Sequence, residues 1–363
     1  MYNPTRTKGE RHMPSSVKRS LVVLAAASLV AALIGVVHTQ AQAQGQAPGG
    51  LRWVKGAPFP EPEEELYGAV ANGKLYVIGG FGYMPFGNPP GLVYEYDPGP
   101  DKWTKKKGIP VRVHHQAQTV VNNKIYVFGG CTRGIGGDDA VENAWEYDPA
   151  ADAWKALAPI PGKRCSAVAE TVNGKIYLIG GIEPFENGKG TRITGKNQMY
   201  DPATNTWTSR STMPTSRNHA FIGAVNGKIY VIGGRLAAGM IPFSSNTDVV
   251  EEYDVATDTW GTVKQRMSTP RSGGGVATYN GRIYVGGGEW ISRDLMASFR
   301  ALEVYEPASD SWTLLPALPG AVHGNAMAFI GNKLHNVSGK MENGGLPDLM
   351  GAATADHSVM EIQ

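Results

Sequence analysis

Basic side chains recur once per stretch of about fifty residues. They are Arg112 with His114 and His115, Arg164 beside Cys165, Arg217 with His219, Arg271, and His323. Guanidinium forks brought to one place would bind carboxylates or phosphates, so an anion site is one expectation. The other is architectural: arginines at a fixed point of a repeat bond loop carbonyls and tie neighbouring units together. His115, His219 and His323, with Cys131 or Cys165, are residue types that ligate zinc or copper. No CxxC or HExxH spacing accompanies them, so no metal is expected. No GxSxG elbow is present either, and no catalytic residue or cofactor is expected. Trp290, with Glu289, follows a glycine pair and stands outside the repeated tryptophans. An exposed ring there would stack on a sugar or anchor a peptide; folded back, it would only brace its loop. Phe81, Tyr83 and Phe86 form a similar aromatic loop.

These residues must be positioned by the repeat. A turn dipeptide and a basic anchor return six times, at Lys74, Lys124, Lys175, Lys228, Arg282 and Lys333. Asn72-Gly73, Asn173-Gly174, Asn226-Gly227 and Asn280-Gly281 supply the positive φ that a two-residue hairpin requires. The following strand, as in Leu75-Tyr76-Val77-Ile78, is apolar on both faces and must be covered on both. A glycine pair ends it. A third strand ends in Tyr96-Asp97-Pro98 and its counterparts, and seven residues after each tyrosine stands Trp103, Trp154, Trp207, Trp260 or Trp312. The basic residues above then fall just before the first strand of each unit. They share a side with the long loops after the second strand, a rigid platform for binding. Glu63, Glu64 and Glu65 break that basic pattern in the first unit.

Paired glycines, Tyr-Asp-Pro and Trp at this period resemble the kelch repeat, which implies an all-β, six-bladed kelch β-propeller. The sixth copy has no tryptophan after its third strand. Trp53 stands fifty residues before Trp103, so Leu51-Arg52-Trp53-Val54 is expected to close the last blade. If Trp53 is fully buried, its loss would cost about 3–5 kcal/mol.

Residues 1–43 read as a signal peptide and 44–363 as the propeller. Arg11, Lys18 and Arg19 precede an apolar run from Leu21 to Val37, and Ala41-Gln42-Ala43 follows as a cleavage site. An uncleaved membrane anchor is the alternative. Removing the segment takes five bases and one acid from totals of 34 and 32, leaving a net charge of −2. Nucleic acid is therefore not an expected partner, nor is a membrane after cleavage. Export to the periplasm or medium would allow Cys131 and Cys165, in adjacent units near one face, to form a disulfide; two free thiols are the alternative.

The resemblance implies a monomeric binding module for a protein, peptide or glycan on the long-loop face. The ligand candidates are Arg112, His115, Arg164, Arg217, His219, Arg271, Trp290 and His323. A similar propeller, the bacterial sialic acid mutarotase, implies an alternative: sugar epimerisation in the central pocket by Arg217, His219 and Glu289. The copper site of the galactose oxidase propeller has no clear counterpart.

Overall fold

The computed structural model describes residues 50–82, 88–133, 139–238, 242–341 and 352–363. The expected signal peptide, Tyr83 and Phe86 lie outside them. No helix among the described residues is long and apolar enough to cross a membrane.

Six four-stranded antiparallel sheets follow one another along the chain. Blade one is Leu66–Ala71, Lys74–Gly79, Leu92–Asp97 and Lys102–Lys105, from the innermost strand outward. The inner strands of the next four blades are Ala117–Val121, Val168–Val172, Phe221–Val225 and Gly275–Tyr279. Each turns back through a left-handed dipeptide, such as Asn72 and Gly73 at φ 51° and 72°. The second strands are buried on both faces because they sit inside the wedge between neighbouring sheets. Blade six is Ala326–Ile330, Lys333–Val337, His357–Glu361 and the N-terminal strand Trp53–Lys55. Trp53 pairs with Met360, Val54 with Val359 and Lys55 with Ser358, so the ring closes through the two ends of the described chain. The six-bladed propeller and its seam are as the repeat implied.

The glycine pair has a mechanical reason. In Gly129-Gly130 both residues are left-handed, at φ 60° and 102°. A Cβ on Gly129 would lie 2.3 Å from the Arg164 carbonyl of the next blade, and one on Gly130 would lie 2.8 Å from the His114 carbonyl of its own. The second glycine then donates its N–H across the blade boundary: Gly130 to Arg164 O at 2.8 Å, Gly181 to Arg217 O at 2.9 Å, and Gly339 to Glu63 O at 3.1 Å.

Farther out, each repeat tryptophan donates its indole N–H to a carbonyl of the preceding blade. Trp103 reaches Ala57 O at 2.9 Å, Trp154 Lys107 O at 2.9 Å, Trp207 Ala158 O at 3.0 Å, and Trp53 Pro316 O at 3.2 Å. A side-chain oxygen, from Asp or in one blade Asn, completes the clamp. Asp101 accepts the Tyr96 hydroxyl at 2.7 Å and the Ala57 N–H at 2.8 Å, and Asp152, Asn205, Asp258 and Asp310 do the same in their blades. Blade six has Met360 and Leu51 at these two positions and packs them apolar to apolar.

Trp53 is only half-buried, whereas Trp103 is 8% exposed. The cost expected of a fully buried ring therefore belongs to Trp103. Trp53→Ala should lower stability by about 1–3 kcal/mol, and Trp103→Ala by about 3–5 kcal/mol. Urea midpoints of the two variants beside the parent check the order.

Candidate functional site

The segment entering each inner strand makes a collar around the axis. One residue per blade is left-handed: Glu65, His115, Ser166, His219, Gly273 and Gly324, with φ between 52° and 60°. Backbone bonds run between them, from Ser166 N to His115 O at 2.8 Å, His219 N to Ser166 O at 3.1 Å, Gly273 N to His219 O at 3.0 Å, and Gly324 N to Gly273 O at 2.6 Å. Leu66 N, next to Glu65, donates to Gly324 O at 3.0 Å across the seam. The residues just before the collar bridge to the starts of the long loops, His114 to Cys131, Asn218 to Arg235 and His323 to Lys340. Long loops and collar therefore share one face.

The structure divides the expected residues into three groups. Arg164, Arg217 and Arg271 are fully buried, two residues before the collar, and point into their own blades. Arg164 donates to Gly180 O at 3.1 Å and Gln198 Oε1 at 2.6 Å. Arg217 donates to Val231 O at 2.7 Å and pairs with Glu251; Arg271 pairs with Glu303. Their guanidinium groups hold second and third strands together, which is the architectural role. Arg112 is out of register with them: Val113 takes their position and Arg112 is exposed. Trp290 belongs to a small ribbon, Glu289–Ile291 against Met296–Ser298, where it faces Ala297 and is half-buried rather than exposed. A similar ribbon, Ile182–Pro184 with Thr191–Ile193, rises from blade three. Cys131 and Cys165 are joined by a disulfide, with Cα atoms 5.6 Å apart.

His115, His219 and His323 are the candidates brought to the axis. His115 and His219 stand in the collar with ring centres 4.6 Å apart, and Phe81 covers His115 from the side. His323 sits one residue earlier in its blade and meets carboxylates instead. Its Nε2 lies 3.0 Å from Glu64 Oε2 and 3.9 Å from Glu289 Oε2, while its Nδ1 is 3.1 Å from Ser298 Oγ. Glu65 accepts the Tyr67 hydroxyl at 3.0 Å and lies 3.4 Å from His115 Nε2. Arg235 pairs with Glu289 and donates to Ser272 Oγ at 3.0 Å. Lys340 Nζ is 3.9 Å from Glu64 Oε1.

Burial sets the charges. It works against a charged His323, but Glu289 and Glu64 raise its pKa to about 9, so it is an imidazolium at neutral pH. Burial would also raise Glu65, yet His115, at hydrogen-bonding range, and the His323 cation hold it well below the usual carboxylate range. His219 is pushed far down by burial, with Arg235 and His115 adding to that, and is neutral. The ligand atoms of Glu64, Glu65 and His323 lie within 4.8 Å of one another and could hold a divalent cation. In this structure the His323 imidazolium itself stands as the cation among these carboxylates. The set can accept hydrogen bonds, donate a proton from His323, or neutralise a bound cation.

A model of the KLHDC2/KLHL20/DRC7 Kelch-repeats domain matches residues 159–339, and the Kelch motif matches 117–161. The chain belongs to the kelch-repeat family. This kelch propeller is 28% identical to the Kelch-like protein terF of Aspergillus terreus, over 73% of the chain and 58% of that protein. It is 27% identical to human Kelch-like protein 23, over 77% of the chain and 46% of that protein. It is 30% identical to zebrafish (Danio rerio) Kelch-like protein 15, over 67% and 41%. The chain thus spans about half the length of the curated relatives it matches. The solved structure of YjhT superposes with a TM-score of 0.66 at 16% identity, over 84% of this chain and 97% of that one; it shares the fold.

Sequence reasoning missed Arg235, Tyr67 and Lys340, and the meeting of His323 with Glu64. Glu63-Glu64-Glu65 was visible as an interruption. Only the seam, which seats blade one beside blade six, brings that run against His323.

Proposed function

We propose that this kelch propeller is an exported binding module that takes a protein partner on its long-loop face. Propellers of this family are typically protein-binding modules. One observation carries the reading here. Of the eight exposed large apolar side chains among the described residues, five stand on the long loops: Phe185, Leu236, Phe243, Leu295 and Met341. Phe243 is 79% exposed. Apolar groups gathered on one face of a rigid ring, around a charged collar, are what a protein partner's anchors need. Export rests on the leader-like residues 1–43. A glycan reading would lean on an exposed Trp290, which the ribbon half-buries. The epimerase reading loses Arg217, whose guanidinium is committed to Glu251 and to backbone carbonyls.

The test is capture of envelope proteins on the immobilised propeller, with Phe243→Asp and, as a control on an outer strand, Leu314→Asp. Losing one central anchor should weaken retention of the captured partner by about thirtyfold or more, and the control should retain it. Equal retention by parent, Phe243→Asp and control would refute the docking face.

A further inference from the structure

Where one blade meets the next on the long-loop face, the residue after the second glycine faces the residue just before the next collar position. Phe81 packs on His114 with ring centres 4.6 Å apart, Cys131 is bonded to Cys165, and Arg235 donates to Ser272 Oγ at 3.0 Å. The last two junctions are different. Their pairs are Glu289 with His323 and Lys340 with Glu64, each at 3.9 Å. Blades five, six and one therefore gather acids around one imidazole across the seam, and Glu65 stands next to Glu64 in the collar.

The imidazole is oriented as a ligand would be. His323 Nδ1 lies 3.1 Å from Ser298 Oγ, a residue outside the acidic set. With Nδ1–H donating to that hydroxyl, Nε2 is the nitrogen turned to the acids, the arrangement that fixes a metal-ligating histidine. Glu64 Oε2 is 3.0 Å and Glu289 Oε2 3.9 Å from Nε2, and Glu64, Glu65 and His323 offer ligand atoms within 4.8 Å of one another. Bonds of about 2.0–2.2 Å to one ion set neighbouring ligand atoms roughly 3–3.6 Å apart and opposite ones roughly 4–4.4 Å apart. The separations here fall in or near that range. Glu289 adds an independent sign. It is 1% exposed and Arg235 takes its Oε1, while its Oε2 accepts no hydrogen bond among the described residues and faces His323. A buried carboxylate oxygen with no donor calls for a cation.

We propose that Glu64, Glu65, Glu289 and His323 bind one divalent ion of the Mn²⁺ or Zn²⁺ class at the mouth of the ring. The ion takes the place of the Nε2 proton, which passes to solvent. Lys340 and Arg235 stay on the outer oxygens, Glu64 Oε1 and Glu289 Oε1. One imidazole with three carboxylates suits these ions better than Ca²⁺ or Mg²⁺, which are bound through oxygen. Glu64, 18% exposed at its side chain, gives the way in. No short ligand motif announces the site because three blades supply it, and of the histidines near the axis it uses His323 alone. The inference goes beyond the docking face and uses none of its exposed apolar anchors.

The probes are MnCl₂ and ZnCl₂, with CaCl₂ and MgCl₂ as controls that seek oxygen, titrated calorimetrically into the whole propeller after chelator treatment and dialysis. Mn²⁺ or Zn²⁺ should bind at one ion per chain, at least about tenfold more tightly than either control. Glu64→Gln alters the most exposed of the four ligands, so it should fold, and it should weaken the ion about tenfold or more. Pulsed EPR of the Mn²⁺-loaded parent should show coupling to a nitrogen, and His323→Gln should lose it. Phe243→Asp should leave ion binding unchanged, which keeps this test apart from that of the docking face. A parent that binds neither ion, Ca²⁺ or Mg²⁺ bound as tightly, affinity unchanged in Glu64→Gln, or a nitrogen coupling that persists in folded His323→Gln would overturn the proposal.

Discussion

Arg217→Ala should destabilise the propeller by about 3–5 kcal/mol, the largest single-residue effect expected among the candidate ligand residues. The arginine side chain is fully buried and its Glu251 partner is 3% exposed. Glu251 also accepts the Thr215 N–H at 3.2 Å and hydroxyl at 2.8 Å, so the carboxylate is held in place whether or not the arginine is present. Removing the guanidinium leaves a buried anion facing a cavity and strips a donor from Val231 O. The pair itself is weaker evidence of stability than its loss, because desolvation offsets much of the attraction. Arg217→Met with Glu251→Leu should therefore cost less than Arg217→Ala alone. Urea midpoints of the three proteins give the comparison. The same variants separate the two roles proposed for the arginine. Were Arg217 a ligand group presented at the mouth, alanine would abolish capture and leave the midpoint near that of the parent; a structural Arg217 moves the midpoint first.

That distinction shows where the sequence was legible. Hairpin turns, the glycine pair and the spacing of Trp53 from Trp103 are local or periodic, so they predicted blades, count and seam without coordinates. The destination of an arginine at a strand entry is not local. It depends on what stands two residues before the repeat tyrosine, namely Gln198, Glu251 and Glu303 where the arginine is present. Blade two, with Val113 in place of arginine, has Trp145 there. That pairing was written in the repeat and could have been read by aligning the units column by column. Register was the other obstacle. His115, His219 and His323 look equivalent in sequence, yet a one-residue offset puts His323 among carboxylates and the other two in the collar. The half-burial of Trp53 reflects the outer edge of the ring, which periodicity does not report.

The seam is also the expected weak point in acid. His335 and His357 lie stacked and almost fully buried on the second and third strands of blade six, packed against Tyr96 and Trp103 of blade one. Their tautomers follow from their partners. His357 Nδ1 is 3.1 Å from the Ala57 carbonyl and must carry the proton. His357 Nε2 is then an acceptor, and His335 Nδ1, 2.9 Å away, donates to it. His335 Nε2 is left bare, buried and without a hydrogen-bond partner. A proton on it would place an unpaired cation in the core, and a proton on His357 Nε2 would set two N–H groups against each other. Burial, His357 and Lys333 depress His335 to about 3, with Asp101 opposing; burial also depresses His357, against the Ala57 carbonyl and Asp101. Because the folded values lie below the ordinary 6.5, the unfolded chain binds protons first as pH falls. The stabilisation is complete above about pH 6.5 and is lost progressively toward pH 3. His335 alone should remove about 2–3 kcal/mol between pH 6.5 and about pH 4.5. His323, raised by its carboxylates, has the opposite sign: its contribution is full below pH 6.5 and fades only as pH approaches 9. Asp101, Asp152 and Asp258, whose hydrogen bonds outweigh burial and depress them, begin to matter below about pH 4. Thermal midpoints between pH 7.5 and 4.5 should thus fall in the parent and fall less steeply in His335→Leu. Parallel curves for the two proteins would mean that acid enters the ring somewhere other than the seam.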